Sequence, residues 1–192
     1  MNGVLAPLAC GWVAVVALVG FSPQLGFSSS ATRADYVGSE RCKDCHKDKY
    51  DGWSPTFHAT VVQDARKHPE SVLADFSKPG LPFSLEDVDY TIGGHWDQRF
   101  MKKIGEDYYV LPKLWNVQAM EWRPYNVWSW KKMPYSKYCK GCHATGFDVE
   151  ANTEIEHRIG CEACHGPGRA HADSKGQRPC VNPRKLLSLI HI

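Results

Sequence analysis

Cys161-Glu162-Ala163-Cys164-His165 repeats a pattern met twice earlier in the chain, at Cys42-Lys43-Asp44-Cys45-His46 and at Cys139-Lys140-Gly141-Cys142-His143. C-x-x-C-H is the attachment signature of a c-type haem. Two sulfurs bond the porphyrin's former vinyl groups, and the adjacent histidine is held beneath the ring, where its nitrogen reaches iron. Cys42, Cys45, Cys139, Cys142, Cys161 and Cys164 are thereby assigned to cofactor binding, and His46, His143 and His165 to iron. Three haem c groups follow.

Zinc is the competing reading, because Cys139/Cys142 and Cys161/Cys164 are separated by 18 residues, a spacing that suits a four-cysteine site. That reading leaves the first motif without a partner and does not explain why a histidine follows every pair. With 9 histidines in 192 residues, chance placement after all three pairs is about one in ten thousand. Haem is the better account.

The flanks of the motifs say where the chain works. Val4 to Phe21 is almost wholly apolar, and no charged side chain precedes Arg33. Thr32-Arg33-Ala34 fits a cleavage site before Asp35, so residues 1–34 read as a signal peptide or an N-terminal membrane anchor. The expected location is periplasmic or otherwise extracytoplasmic, where thiols end as disulfides, metal ligands or cofactor attachments. Lys plus Arg is 23 against 21 for Asp plus Glu, a net charge of +2, which gives no reason to invoke nucleic acid.

About 150 residues around three large apolar rings leave little polypeptide for a conventional core. The expected fold class is mainly α with irregular segments and a small antiparallel β insertion, packed around the covalent haems. Ser39 suits an N-cap for a helix holding Cys42 to Tyr50. Ser54-Pro55 opens a second helix, with Phe57, His58, Val61, Val62 and Ala65 along one face and an end at His68-Pro69. Residues 76–84, with Pro79, Gly80 and Pro82, read as an irregular connection. Residues 88–92 are strand-like, residues 98–103 and 108–111 suit a hairpin around 104–107, and residues 114–122 suit a third strand.

Histidines remain for the far side of each iron. His58 lies on the apolar side of its predicted helix and is the first candidate for a distal ligand. His171 is the second: six residues from His165 span at most about 20 Å, and the intervening Gly166-Pro167-Gly168 turn shortens that, so His171 suits a neighbouring haem better than that of His165. His95 and His157 are weaker candidates, and His68, before Pro69, weaker still. Met101, Met120 and Met133 suit packing better than ligation. Lys131, Lys132, Lys137 and Lys140 read as a solvated face or as a docking patch for an acidic redox partner. Cys180 has no motif and reads as a free thiol.

Three stretches carry a resemblance: Gly160 to Gly168 with His171, Gly141-Cys142-His143-Ala144-Thr145-Gly146-Phe147, and Tyr36-Val37-Gly38-Ser39. Together they resemble the tetrahaem cytochrome c family that includes the electron acceptor of hydroxylamine oxidoreductase. The resemblance implies a haem-packed, largely helical fold with mostly bis-histidine iron, in which His58 and His171 match distal ligands and one or more irons are open. The chain lacks a fourth C-x-x-C-H. Leu187-Ser188-Leu189-Ile190-His191-Ile192 reads as a common transposase sequencing adapter translated in frame, so a native continuation past about residue 186 is expected and three haems is a lower bound. Residues 35–186 are then one multihaem cytochrome c domain, C-terminally truncated. The leading functional expectation is electron transfer between redox partner proteins; the alternative is a reductase or oxidase of a small nitrogen or sulfur compound at an open haem.

Overall fold

The computed structural model describes residues 31–185. The signal or anchor segment, save its last few residues, and the adapter-like tail with His191 lie outside these residues. Helices α1 (Ser39–Lys43), α2 (Lys47–Trp53) and α3 (Phe57–Thr60) open the described chain. Six strands follow: β1 (Val62–Asp64), β2 (Tyr90–Gly93), β3 (Asp97–Ile104), β4 (Asp107–Val110), β5 (Lys113–Asn116) and β6 (Glu121–Pro124). Short helices α4 (Tyr135–Tyr138), α5 (Lys140–His143), α6 (Cys161–His165) and α7 (Arg169–Asp173) complete the order.

The expectation of a mainly α fold is wrong. The largest element is a six-stranded antiparallel sheet in the order β1-β2-β3-β5-β6, with β4 on β3 beside β5. The helices are single or double turns. Strand β3 organises the sheet: β2 pairs along one edge, from Tyr90↔Met101 to Gly93↔Gln98, and β4 then β5 pair along the other. The hairpin around residues 104–107 is present, closed at Ile104↔Asp107. Residues 114–122, expected as one strand, are instead the arms of the β5–β6 hairpin, with Trp115 opposite Trp122.

The helix expected from Ser54 stops at Thr60, and Val62–Asp64 pairs with β2. Apolar residues at 57, 61, 62 and 65 fit a helical stripe. The β-branched run Thr60-Val61-Val62, however, is stiff at χ1 and packs well on a pleated surface, so the ladder wins. Ser39 is likewise inside α1 rather than its N-cap; Gly38 takes the cap position.

Alternation along β3 gives the sheet two apolar faces. Met101 faces one side with Val62, Ile92, Val110 and Tyr135. Phe100 faces the other with Ala65, Val88, Leu111 and Trp115. Both residues are fully buried. The Phe100 face is covered by the irregular segment from Val72 to Phe83, pinned where Gln98 Nε2 donates to Ser71 O at 2.7 Å and Leu73 N donates to Gln98 Oε1 at 2.8 Å. The Met101 face is covered by Tyr135 and Cys139, so the sheet is the floor on which the second C-x-x-C-H motif rests. The polypeptide therefore builds an apolar core of its own.

Candidate cofactor site

Each motif is one helical turn. His46 N donates to Cys42 O at 3.0 Å and His143 N to Cys139 O at 3.1 Å, while the third motif is helix α6 itself. Positions i, i+3 and i+4 of a turn share one face, so each turn presents two sulfurs and an imidazole to the same side. The second cysteine of every motif is exposed and the first is partly buried, and none of the six is joined in a disulfide among the described residues. The chain thus holds three copies of one donor set, each on a single turn.

The first and third turns are joined. The Cys42 thiol donates to Gly38 O at 3.5 Å; the neighbouring Cys161 sulfur, and then burial, raise Cys42, whereas Cys161 falls to about 6 beside Cys42, against burial and with help from Ser39. Two buried carboxylates hold the junction. Glu162, inside the third motif and only 3% exposed, accepts from Val37 N, from Gly38 N at 2.7 Å and from Gly168 N at 2.6 Å. Glu156 accepts from Ser39 N at 3.1 Å and Ser39 Oγ at 2.8 Å, and Ser39 Oγ in turn accepts from Cys161 N at 3.0 Å. Gly160 permits this approach, since a Cβ there would lie 2.0 Å from Glu156 Oε2. Across the junction the rings of His46 and His171 are 6.0 Å apart and 15° from parallel. His171 Nδ1 meets Arg178 O at 2.7 Å, and His165 Nδ1 meets Val181 O at 2.9 Å. A proton on Nδ1 in each leaves Nε2 as a lone-pair donor.

The second turn rests on the sheet, and the residues after it are tied to the approach of the third turn, where Gly160 N donates to Thr145 Oγ1 at 2.8 Å. Lys140, the first intervening residue of the second turn, is 4% exposed and pairs with Glu154 Oε2 at 2.7 Å; His157 Nε2 pairs with Glu154 Oε1 at 2.5 Å. Burial raises the Glu154 carboxyl, but the hydrogen bonds from His157 and Lys140 outweigh it and bring it to about 2. Burial, and then the Arg99 charge, push His143 below the ordinary imidazole range, favouring the neutral form that can bind a metal. Arg99 Nε and His143 Nδ1 are both buried without a hydrogen-bond partner.

Comparison with known proteins agrees with this donor set. The family described as "Cytochrome c554 and c-prime" matches residues 41–79 and 116–166, spans that hold all three motifs. Cytochrome c-554 of Nitrosomonas europaea is 25% identical over 169 residues, covering 84% of this chain and 49% of that protein. The crystal structure of the outer cell wall cytochrome OcwA superposes with a TM-score of 0.68 at 31% identity, over 77% of this chain and 35% of that one. The undecahaem cytochrome from the S-layer of Carboxydothermus ferrireducens gives 0.60 at 25% identity, over 80% and 24%. The chain therefore spans about half the length of the curated relative and less of the two structures. It belongs to the multihaem c-type cytochromes.

The residues of this cytochrome fit haem c. Each turn supplies two thiols and a histidine on one side, and the unpartnered donors Arg99 Nε and His143 Nδ1 beside the second turn are of the kind that porphyrin carboxylates or water satisfy. Of the histidines expected opposite the iron, His171 is brought to His46. His58 stands exposed on α3, whose backbone meets the segment leading into the third motif where Ile159 N donates to His58 O at 3.1 Å. His95 packs between Phe57 and Trp96, His68 pairs with Glu70 at the surface, and His157 has its Nε2 engaged by Glu154. Met101 is core, whereas Met120 is exposed. Lys140 is withdrawn from the basic segment into its ion pair, leaving Lys131, Lys132 and Lys137 at the surface. Glu154, Glu156, Glu162 and Arg99 were not singled out by any motif; an acidic residue inside C-x-x-C-H followed by Gly-Pro-Gly was the one visible hint for Glu162.

Proposed function

We propose that this cytochrome is an extracytoplasmic electron carrier with three haems c, attached through Cys42/Cys45, Cys139/Cys142 and Cys161/Cys164, and that His46 and His171 bind opposite sides of one iron. Haem supplies a one-electron couple that no side chain here offers. The observation that carries the ligand pair is the 6.0 Å ring separation at 15°. With metal–imidazole bonds of about 2 Å on each side, two imidazoles sharing an ion have their centres about 6 Å apart. Cys161 N donates to Ser39 Oγ and Gly38 N to Glu162 Oε2, which brings the first and third attachment turns together, an arrangement that favours rapid exchange of electrons between them. The extracytoplasmic location is supported by the apolar N-terminal stretch and by the cell-wall and S-layer settings in the names of the similar structures. Among the described residues no helix is long and apolar enough to cross a membrane. Redox proteins are the proposed partners.

Mass spectrometry of peptides from the pure holoprotein should find haem on all three motifs, and the reduced protein should show a c-type spectrum. His171→Ala should convert one low-spin component of the electron paramagnetic resonance spectrum to high spin without loss of haem. A spectrum unchanged by H171A overturns the axial pair; haem missing from any motif overturns the count.

A further inference from the structure

The joined first and third turns and the second turn sit in opposite electrostatic settings. At the junction of the first and third turns, Glu156 is neutralised by Arg158, with Arg158 Nη2 2.8 Å from Glu156 Oε1. Glu162 is not neutralised. Its donors, Val37 N, Gly38 N and Gly168 N, are all backbone amides, and it joins no ion pair among the described residues. A buried carboxylate without a counter-ion thus lies within the third attachment turn. At the second turn a cation outweighs the nearby carboxylate of Asp107, which is bound by Ser136 N at 3.2 Å. Arg99 stands on the same face of β3 as Met101, whose neighbours are Tyr135 and Cys139, and its guanidinium lies 4.9 Å over the Tyr125 ring. Its pairing with Asp97 is loose, at 3.7 Å. The other cation there, Lys140, is neutralised by Glu154 at 2.7 Å.

A fixed negative charge favours the oxidised, more positive iron and lowers its potential; a fixed positive charge raises it, and both act more strongly where water is excluded. We propose that Glu162 would make a third-motif haem the lowest in potential and Arg99 a second-motif haem the highest, so that electrons would enter at the paired first and third turns and leave from the turn resting on the sheet. This deepens the reading above and rests on haem being attached at each motif.

Redox titration of the holoprotein, followed by absorption and electron paramagnetic resonance, tests it. Glu162→Gln should move the lowest-potential component upward and leave the highest in place. Arg99→Gln should move the highest component downward and leave the lowest in place, and Arg99→Lys, which keeps the charge, should restore it. If E162Q holoprotein does not accumulate, the arginine pair decides alone. The proposal is overturned if either variant moves the opposite component, if neither moves any, or if R99K shifts the potential as far as R99Q. Absence of haem from a motif in peptide mass spectra would instead overturn the parent reading.

Discussion

At the residue scale, chemistry and scaffold differ in how they are written into the chain. C-x-x-C-H is local: five consecutive residues fold into one turn, so spacing alone locates six sulfurs and three imidazoles. The carboxylates that fix those turns are non-local. Glu162 meets Val37 across 125 residues and Glu156 meets Ser39 across 117, and no periodicity announces such pairs. Glu154 is the third case and yields a prediction. Its carboxyl is lowered from 4.5 to about 2, so its contribution is fully present above about pH 4.5 and is lost as pH falls through about 2. Glu154→Gln removes the partner of buried Lys140, and breaking a buried pair costs about 3 kcal/mol. Urea unfolding at pH 7 should show that loss, and the difference between wild type and E154Q should shrink as the pH is lowered from 4.5 towards 2. A difference that stays constant over that range would remove Glu154 as its source.

At the element scale, the misreading of the fold has a physical cause. Phe57, Val61, Val62 and Ala65 satisfy a helical stripe, yet Val62–Asp64 gains a ladder to β2 that only the folded sheet supplies. The hairpin around 104–107 was legible because Gly105, at φ +62°, sits between two alternating runs. The β5–β6 turn was not, since Val117 to Met120 contains neither Gly nor Pro; Asn116 Oδ1 makes it by accepting from Ala119 N at 2.8 Å. The sheet's stability should then be concentrated in β3. Phe100→Ala, at a fully buried site, should cost about 3–5 kcal/mol, read from the urea midpoint with haem content unchanged. Ile104→Ala, at a hairpin tip where the side chain is 42% exposed, should cost no more than about 1 kcal/mol. Equal losses at the two positions would contradict a core seated on β3.

At the scale of the whole molecule, the chain combines two modes of construction. The sheet carries a two-faced apolar core made by polypeptide alone, through Met101 and its neighbours on one side and Phe100 and its neighbours on the other. The attachment turns are too short to persist by themselves, because a helix of one or two turns does not repay its nucleation in water. They are held by carboxylate stitches instead, and by the cofactors proposed to attach there. Opening should therefore be uneven: amides in structures fixed by many buried contacts exchange only on global unfolding, and those at short or exposed elements exchange through local opening. Hydrogen exchange of the oxidised holoprotein should find the slowest amides in the centre of β2 and β3, at Ile92, Phe100 and Met101. Exchange should be faster by orders of magnitude in α2 and α7, which contain no buried residue. The stretch from Tyr135 to His143 should be intermediate, since it is anchored on the Met101 face through Tyr135 but otherwise built from single turns. If the amides of residues 139–165 prove slower than those of β3, the cofactors rather than the sheet are the stabilising centre. The expected packing around porphyrin rings would then describe the energetics, with a sheet standing where helices were expected.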